Sequence, residues 1–278
     1  MTGWTLVETH PTHGRTFQRP LDLTELAFFW DGHFNGTEDC IQHVELRLLN
    51  PSRDTSLFSE ANIVNAWLAT KRRFPLVGAA VNVLPRTKFA PHRLEVTDSK
   101  IEGDLPAFAS GPHFAVREHE LSVLRPYEIV FGQVACAKEV PERMNAVWDG
   151  PRNLSDELLA QLYVFRETDS QRTDVLHLML LVAHCVADAM GKRTFMRCLL
   201  DTLARGGVPK SEPAQVPLEE RLAMLIPSAD LEPIHLRTLN LARRRWRRAI
   251  GAVIYQSRMR RSQVRACYLF PIFLLIDY

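Results

Sequence analysis

Apolar runs and turn signals alternate along the 278-residue chain, with no repeat period and no low-complexity tract. The fold class therefore has to come from the spacing of hydrophobic positions. Residues 44–49, Val-Glu-Leu-Arg-Leu-Leu, alternate apolar and charged side chains, which predicts a strand with one wet face, closed by Asn50-Pro51. Ser59, followed by Glu60 and then Ile63, Val64, Trp67 and Leu68, predicts an N-capped amphipathic helix over 60–73. Its last turn, Lys71, Arg72 and Arg73, complements the negative end of the helix dipole. Residues 74–83 place β-branched side chains after a proline and predict the next strand, and Leu-Glu-Val at 94–96 adds a short one. Upstream, the apolar stretch 23–29 is expected to end in a tight loop at Trp30-Asp-Gly-His-Phe-Asn-Gly36, because Asp-Gly and Asn-Gly favour positive φ. Leucines 158, 159 and 162 predict a helix over 153–163, with residues 162–166 as an alternative strand opening.

Asp174-Val-Leu-His-Leu-Met-Leu-Leu-Val-Ala-His-Cys-Val-Ala-Asp-Ala-Met-Gly191 is the most informative stretch. Residues 175–183 are almost uniformly apolar, which predicts a strand covered on both faces, central in an α/β sheet. The period then changes. Met190, Phe195, Leu199, Leu200 and Leu203 fall at helical spacing and Gly206-Gly207 supply a stop, so the chain is expected to run strand, short polar elbow, helix, with the helix restarting after Gly191. His184 and Asp188 sit in the elbow. A proline-marked linker over 208–217, a short helix over 218–225 and a turn at Pro227-Ser228 follow. A basic helix over about 234–261 then carries Arg243, Arg244, Arg245, Arg247 and Arg248 around Trp246.

Composition narrows the classes. With 46% hydrophobic and 24% charged residues the chain is not disordered and can bury one large core or two modest ones. Lys and Arg (34) nearly cancel Asp and Glu (32), so a formal charge of +2 argues for neither a nucleic-acid nor a membrane-surface partner. Five scattered cysteines, with no C-x-x-C pair, fit neither a disulfide framework nor a zinc site and point to a reducing, cytoplasmic compartment. Residues 1–15 lack the positive start and unbroken apolar run of a secretory signal. The apolar run at 268–276 is broken by Pro271 and falls well short of the roughly 20 residues of a spanning helix, so no membrane span is expected.

An H-x-x-x-D spacing is weak alone, and His184/Asp188 is its one occurrence here. Its setting strengthens it, because the carboxyl end of a buried strand is where α/β sheets hold ligands, and an imidazole there can take a proton from a hydroxyl or amine attacking a carbonyl. Leu181-Val-Ala-His-Cys-Val-Ala-Asp-Ala-Met-Gly191 resembles the H-x-x-x-D-G motif of the chloramphenicol acetyltransferase-like superfamily of CoA-dependent acyltransferases, BAHD enzymes and peptide-synthetase condensation domains. The order of early strand, helix ending in Arg-Phe-Pro-Leu-Val-Gly, and motif strand is similar to the amino-terminal lobe of that family, closest to its fungal acyltransferase-like and condensation-like members.

The resemblance implies an α/β lobe, a mixed β-sheet flanked by helices, in a protein of secondary metabolism. It implies His184 as general base and Asp188 as the residue that holds the motif loop, in family members usually through a basic side chain. It also implies acyl-CoA as co-substrate, a small-molecule alcohol or amine as acceptor, and no permanently bound cofactor or metal. Ala189 replaces the usual glycine after the aspartate, which would strain the loop if that position needed positive φ. Ala183 stands where condensation domains usually carry another histidine, which favours the CoA-using branches. The resemblance covers about residues 20–260, and the D-F-G-W-G motif of the family's second lobe is absent. Residues 1–235 are thus expected to form the amino-terminal lobe and 236–278 a basic helix and apolar tail of a truncated form, the second lobe largely missing. The alternative is a catalytically inactive lobe acting as an interaction or self-associating module.

Other groupings have structural readings beside the functional one. Cys185 next to His184 is expected to be a core cysteine, since neighbours in an extended segment face opposite ways. His177 reads as structural. Asp31 and His33, two apart, are a candidate acid–base pair or simply turn residues. The arginine cluster reads as a solvated helix face ahead of a phosphate, nucleic-acid or anionic-membrane site.

Overall fold

The computed structural model describes residues 3–10, 14–35, 39–48, 55–83, 111–168, 175–208 and 216–227, with the helical positions Arg243, Trp246 and Ile250. Two four-stranded sheets organise the chain. The first has the order β1 (Thr5–His10), β2 (Gly14–Pro20), β5 (His113–Arg117), β4 (Ala80–Asn82) and is antiparallel throughout. The second has the order β3 (Asp39–Arg47), β8 (Val175–Ala183), β7 (Ala160–Glu167), β6 (Ile129–Val134), with β6 parallel to β7 and the other pairs antiparallel. Helices α1 (Leu23–Asn35), α2 (Glu60–Arg73), α3 (Glu139–Asp149), α4 (Ala189–Leu203) and α5 (Leu218–Ala223) flank them, the mixed α/β lobe that the sequence implies.

Strand β8 matches its predicted span residue for residue, and all nine positions are buried. Leu176, Leu178, Leu180 and Val182 face one core cluster with Ile63, Ala66 and Trp67 of α2 and Phe195, Met196 and Leu199 of α4. Met179, Leu181 and Ala183 face another, with Phe29 of α1 and Phe17, Val81 and Phe114 of the first sheet. Each leucine so enclosed contributes roughly 1.5–3 kcal/mol relative to exposure. Apolar side chains at every position, rather than at alternate ones, are what a strand packed on both faces requires.

Helix α2 occupies its predicted span, with Ser59 Oγ accepting the Asn62 N–H at 3.3 Å. Lys71 departs from its expected role at the helix end: it is fully buried, with Nζ 2.7 Å from Glu128, to which Trp67 Nε1 also donates. Burial pulls the Lys71 ammonium below its usual pKa, against the opposing pull of Glu128.

Several expectations are corrected. The loop predicted at 30–36 is helical, because α1 runs on to Asn35. Asn35 Nδ2 donates to Asp31 Oδ1 at 2.6 Å, and the ring pairs four apart meet along the helix, Trp30–Phe34 stacked and Phe29–His33 tilted by 34°, while Gly32 is buried against its neighbours. These contacts outweigh the local preference of Asp-Gly for a turn. The strand predicted over 74–83 is a 3₁₀ turn, Pro75–Gly78, before the three-residue β4. The helix predicted over 153–163 is absent: residues 155–158 form a tight turn through a Ser155–Leu158 bridge, and β7 starts at Ala160, so the alternative strand is the observed state. Of the three leucines only Leu162 lies in β7; Leu158 closes the turn and Leu159 is buried just ahead of the strand. The strand predicted at 44–49 begins earlier and ends at Arg47, and α4 begins at Ala189, before Gly191. The short strand at 94–96 and nearly all of the basic helix lie outside the described residues.

Candidate active site

His184 opens the turn that leaves β8, where Val186 N–H donates to Ala183 O at 2.9 Å. Its imidazole is half-buried, not sealed in hydrocarbon. The ring lies on Phe28 of α1, face to face, with centroids 4.0 Å apart and 16° between planes. Nδ1 is buried and has no hydrogen-bond partner among the described residues. A base working through Nε2 carries its proton on Nδ1, and a buried N–H without an acceptor costs about 1–3 kcal/mol.

Asp188 is exposed and caps α4, Oδ1 accepting the N–H groups of Met190 at 3.0 Å and Gly191 at 2.7 Å. Backbone amides, not a basic side chain, are its partners among the described residues. Gly191 makes the cap compact: a Cβ there would stand 2.9 Å from Ala187 Cβ and 3.4 Å from Asp188 Oδ1. Ala189 is the first residue of α4, and the single non-glycine with positive φ among the described residues is Tyr127, so the strain expected at Ala189 does not arise.

Strand β3 holds the far side of this loop. Cys40 Sγ lies 3.8 Å from Ala187 O, Lys192 Nζ donates to Ile41 O at 3.0 Å, and Arg152 fastens Asp39 through two bonds of 2.8 and 3.1 Å. Cys185 turns into the core, and burial pushes its thiol up to about 12, so it takes no part in chemistry near neutral pH.

The other sequence candidates separate. Asp31 and His33 do not pair with each other; His33 Nδ1 lies 3.0 Å from Asp156 Oδ1 on the 155–158 turn, a tie that fixes the end of α1. His177 is one link of a chain crossing three strands: its Nε2 is 3.1 Å from Glu167 Oε1 and its Nδ1 is 3.2 Å from His43 Nε2. Because the carboxyl group accepts at Nε2–H, Nδ1 of His177 is left to accept from His43 Nε2–H. Burial, helped by His177, lowers the His43 pKa to about 4. No local motif announces Phe28, Arg152 or the Glu167–His177–His43 chain, since each depends on a partner distant in sequence; the glycine at the third helical position after Asp188 was the one readable sign. Among the described residues no group of three or more His, Cys, Asp or Glu side chains is arranged to hold a metal ion, and no helix is long and apolar enough to cross a membrane.

No family model and no curated protein sequence matches the chain. Solved structures do. Trichothecene 15-O-acetyltransferase from Fusarium sporotrichioides is similar at 14% identity over 70% of this chain and 36% of its own, with a TM-score of 0.46. The condensation domain of the monacolin K polyketide synthase is similar at 12% identity, over 74% of this chain and 38% of its own, with a TM-score of 0.49. The starter condensation domain of rhizomide synthetase is similar at 9% identity, over 74% and 42%, with a TM-score of 0.48. The chain thus spans less than half the length of these proteins.

Proposed function

We propose that this chain is a lobe of an acyltransferase that moves an acyl group from acyl-CoA to a small-molecule alcohol or amine, with His184 as general base. The observation that carries this reading is an imidazole at the carboxyl end of a central strand, half-buried, whose buried Nδ1 has no partner among the described residues. Nε2 takes the proton of the acceptor hydroxyl or amine as its oxygen or nitrogen forms a bond to the thioester carbonyl carbon. The tetrahedral adduct collapses, the C–S bond breaks, and the proton on Nε2 passes to the thiolate, giving ester or amide and free coenzyme A. Asp188 is the positioning residue of the loop, through the cap on α4. Ala183 in place of a second motif histidine favours a CoA thioester over a carrier-protein thioester as donor.

The test is thiol release from acetyl-CoA in the presence of a panel of alcohols and amines, with the wild-type chain and His184→Ala. A general base contributes about 10²–10⁴-fold, so the variant should lose that factor; equal turnover in the two would overturn the assignment. A second reading, a non-catalytic interaction lobe, is favoured by the exposed Phe34, Trp148 and Met190 at the ends of α1 and α3 and the start of α4. It predicts an oligomer by light scattering and no thiol release.

A further inference from the structure

The base assigned to His184 raises a question of what holds its ring. Catalytic imidazoles are ordinarily oriented by an acceptor on the second nitrogen, which sets both tautomer and plane. Here Nδ1 is buried without a partner among the described residues, so that device is missing. What touches the ring is the phenyl face of Phe28, 4.0 Å away and within 16° of parallel.

Helix α1 is built to carry that ring without play. At its start Asp22 Oδ1 accepts the N–H groups of Thr24 and Glu25 at 2.7 and 2.9 Å, while Glu25 Oε2 accepts the Asp22 N–H at 2.8 Å, a reciprocal cap. Glu25 is further locked to Arg19 through bonds of 2.7 and 3.0 Å, with both side chains buried. One position beyond Phe28, Phe29 is fully enclosed in the core. At the other end His33 is tied to Asp156. Phe28 is thus clamped between a capped, ion-paired first turn and an anchored last turn, and the residue it presents to His184 is flat.

We propose that Phe28 is the positioning residue of His184, setting the plane and rotamer of the imidazole by face-to-face stacking in place of a hydrogen bond. The catalytic consequence rests on the general-base reading; the stack itself does not. Two rings stacked in this way allow the imidazole to slide little and to rotate less, so Nε2 keeps one direction of approach to the acceptor. An aliphatic residue of similar volume would fill the space and leave the plane free.

The experiment compares the wild-type chain with Phe28→Leu, Phe28→Met and Phe28→Tyr by two readouts. In proton NMR, the wild type should show a cross-relaxation peak between the Phe28 and His184 rings, and His184 ring protons shifted upfield by the phenyl face. Leu and Met should return them downfield, and Tyr should keep them upfield. In thiol release from acetyl-CoA, Leu and Met should lower kcat by about tenfold or more with KM for the donor little changed, and Tyr should restore it. The wild-type spectrum alone decides the stack should an aliphatic variant not fold: no cross-peak overturns the proposal. Unshifted His184 resonances in Phe28→Leu, or a kcat equal to wild type where His184→Ala is inactive, would also overturn it. Retained turnover in His184→Ala instead removes the general-base reading, and the resonances still report on the stack.

Discussion

Strand β8 carries one histidine near its start and delivers a second to the turn that follows it, and the two live in opposite circumstances. His177 is 1% exposed and both its nitrogens are engaged, by Glu167 and by His43. Seven residues on, roughly 23 Å of extended chain away, His184 is half-buried, and its buried Nδ1 has no partner among the described residues. The side chain is the same, but the strand's histidine has its hydrogen-bonding capacity used up by the fold and the turn's does not. An imidazole satisfied on both sides is a structural tie between strands, and one left short in a turn is free of that duty, as the proposed general base has to be.

The sharpest way to break this contrast is to truncate each histidine. His184→Ala should cost about 10²–10⁴-fold in acyl transfer and leave the melting temperature nearly unchanged, because the ring is not part of a satisfied network. His177→Ala should do the reverse, destabilising by about 2–4 kcal/mol in urea titration through the cavity and the stranded Glu167 carboxyl group, with turnover of the folded fraction retained. Equal stability losses in the two variants would dissolve the contrast.

Acid sharpens it next. His43 titrates near 6.5 when unfolded and near 4 in the fold, where burial, the largest cause, and His177 disfavour its charge and the facing Glu45 favours it. Between those pH values the unfolded chain binds the extra proton and the native one does not, so stability is full above about pH 6.5, falls toward pH 4 and then levels. The loss is on the order of 3 kcal/mol. Denaturant titrations at pH 7, 5.5 and 4 measure it, and His43→Gln should flatten that slope.

The smallest effect belongs to the loop. Asp188→Ala removes an N-cap and should cost about 1 kcal/mol, while Asp188→Asn, which can still accept both amides, should restore most of it. If Asn fails to rescue stability, Asp188 acts through its charge and not through the cap.

Legibility followed locality. Helix α2, strand β8 and helix α4 could be read because each is written in consecutive residues: a serine cap ahead of a 3.6-residue period, an unbroken apolar run, a glycine pair at the stop. The misreadings occurred where a local preference met a tertiary demand. Asp31-Gly32 favours a turn but sits in α1, where the ring pairs Phe29–His33 and Trp30–Phe34, four apart, meet along the helix. Leucines 158, 159 and 162 mimic a helical stripe but belong to different elements: Leu158 closes the 155–158 turn, Leu159 is buried just ahead of β7, and Leu162 lies in the strand.

The chain's own residues determined that His184 would leave a central strand and that a polar elbow holding Asp188 would lead into a helix, because strand, elbow and helix are properties of neighbouring residues; the structure made Asp188 the cap of that helix. Tertiary structure alone decided which imidazole would be tied down and which left short. Glu167 and His43 reach His177 across three strands, and Phe28 reaches His184 from a helix some 150 residues earlier. The saturation of a hydrogen-bonding group depends on which distant atoms packing brings within about 3 Å, and no period in the sequence encodes that distance.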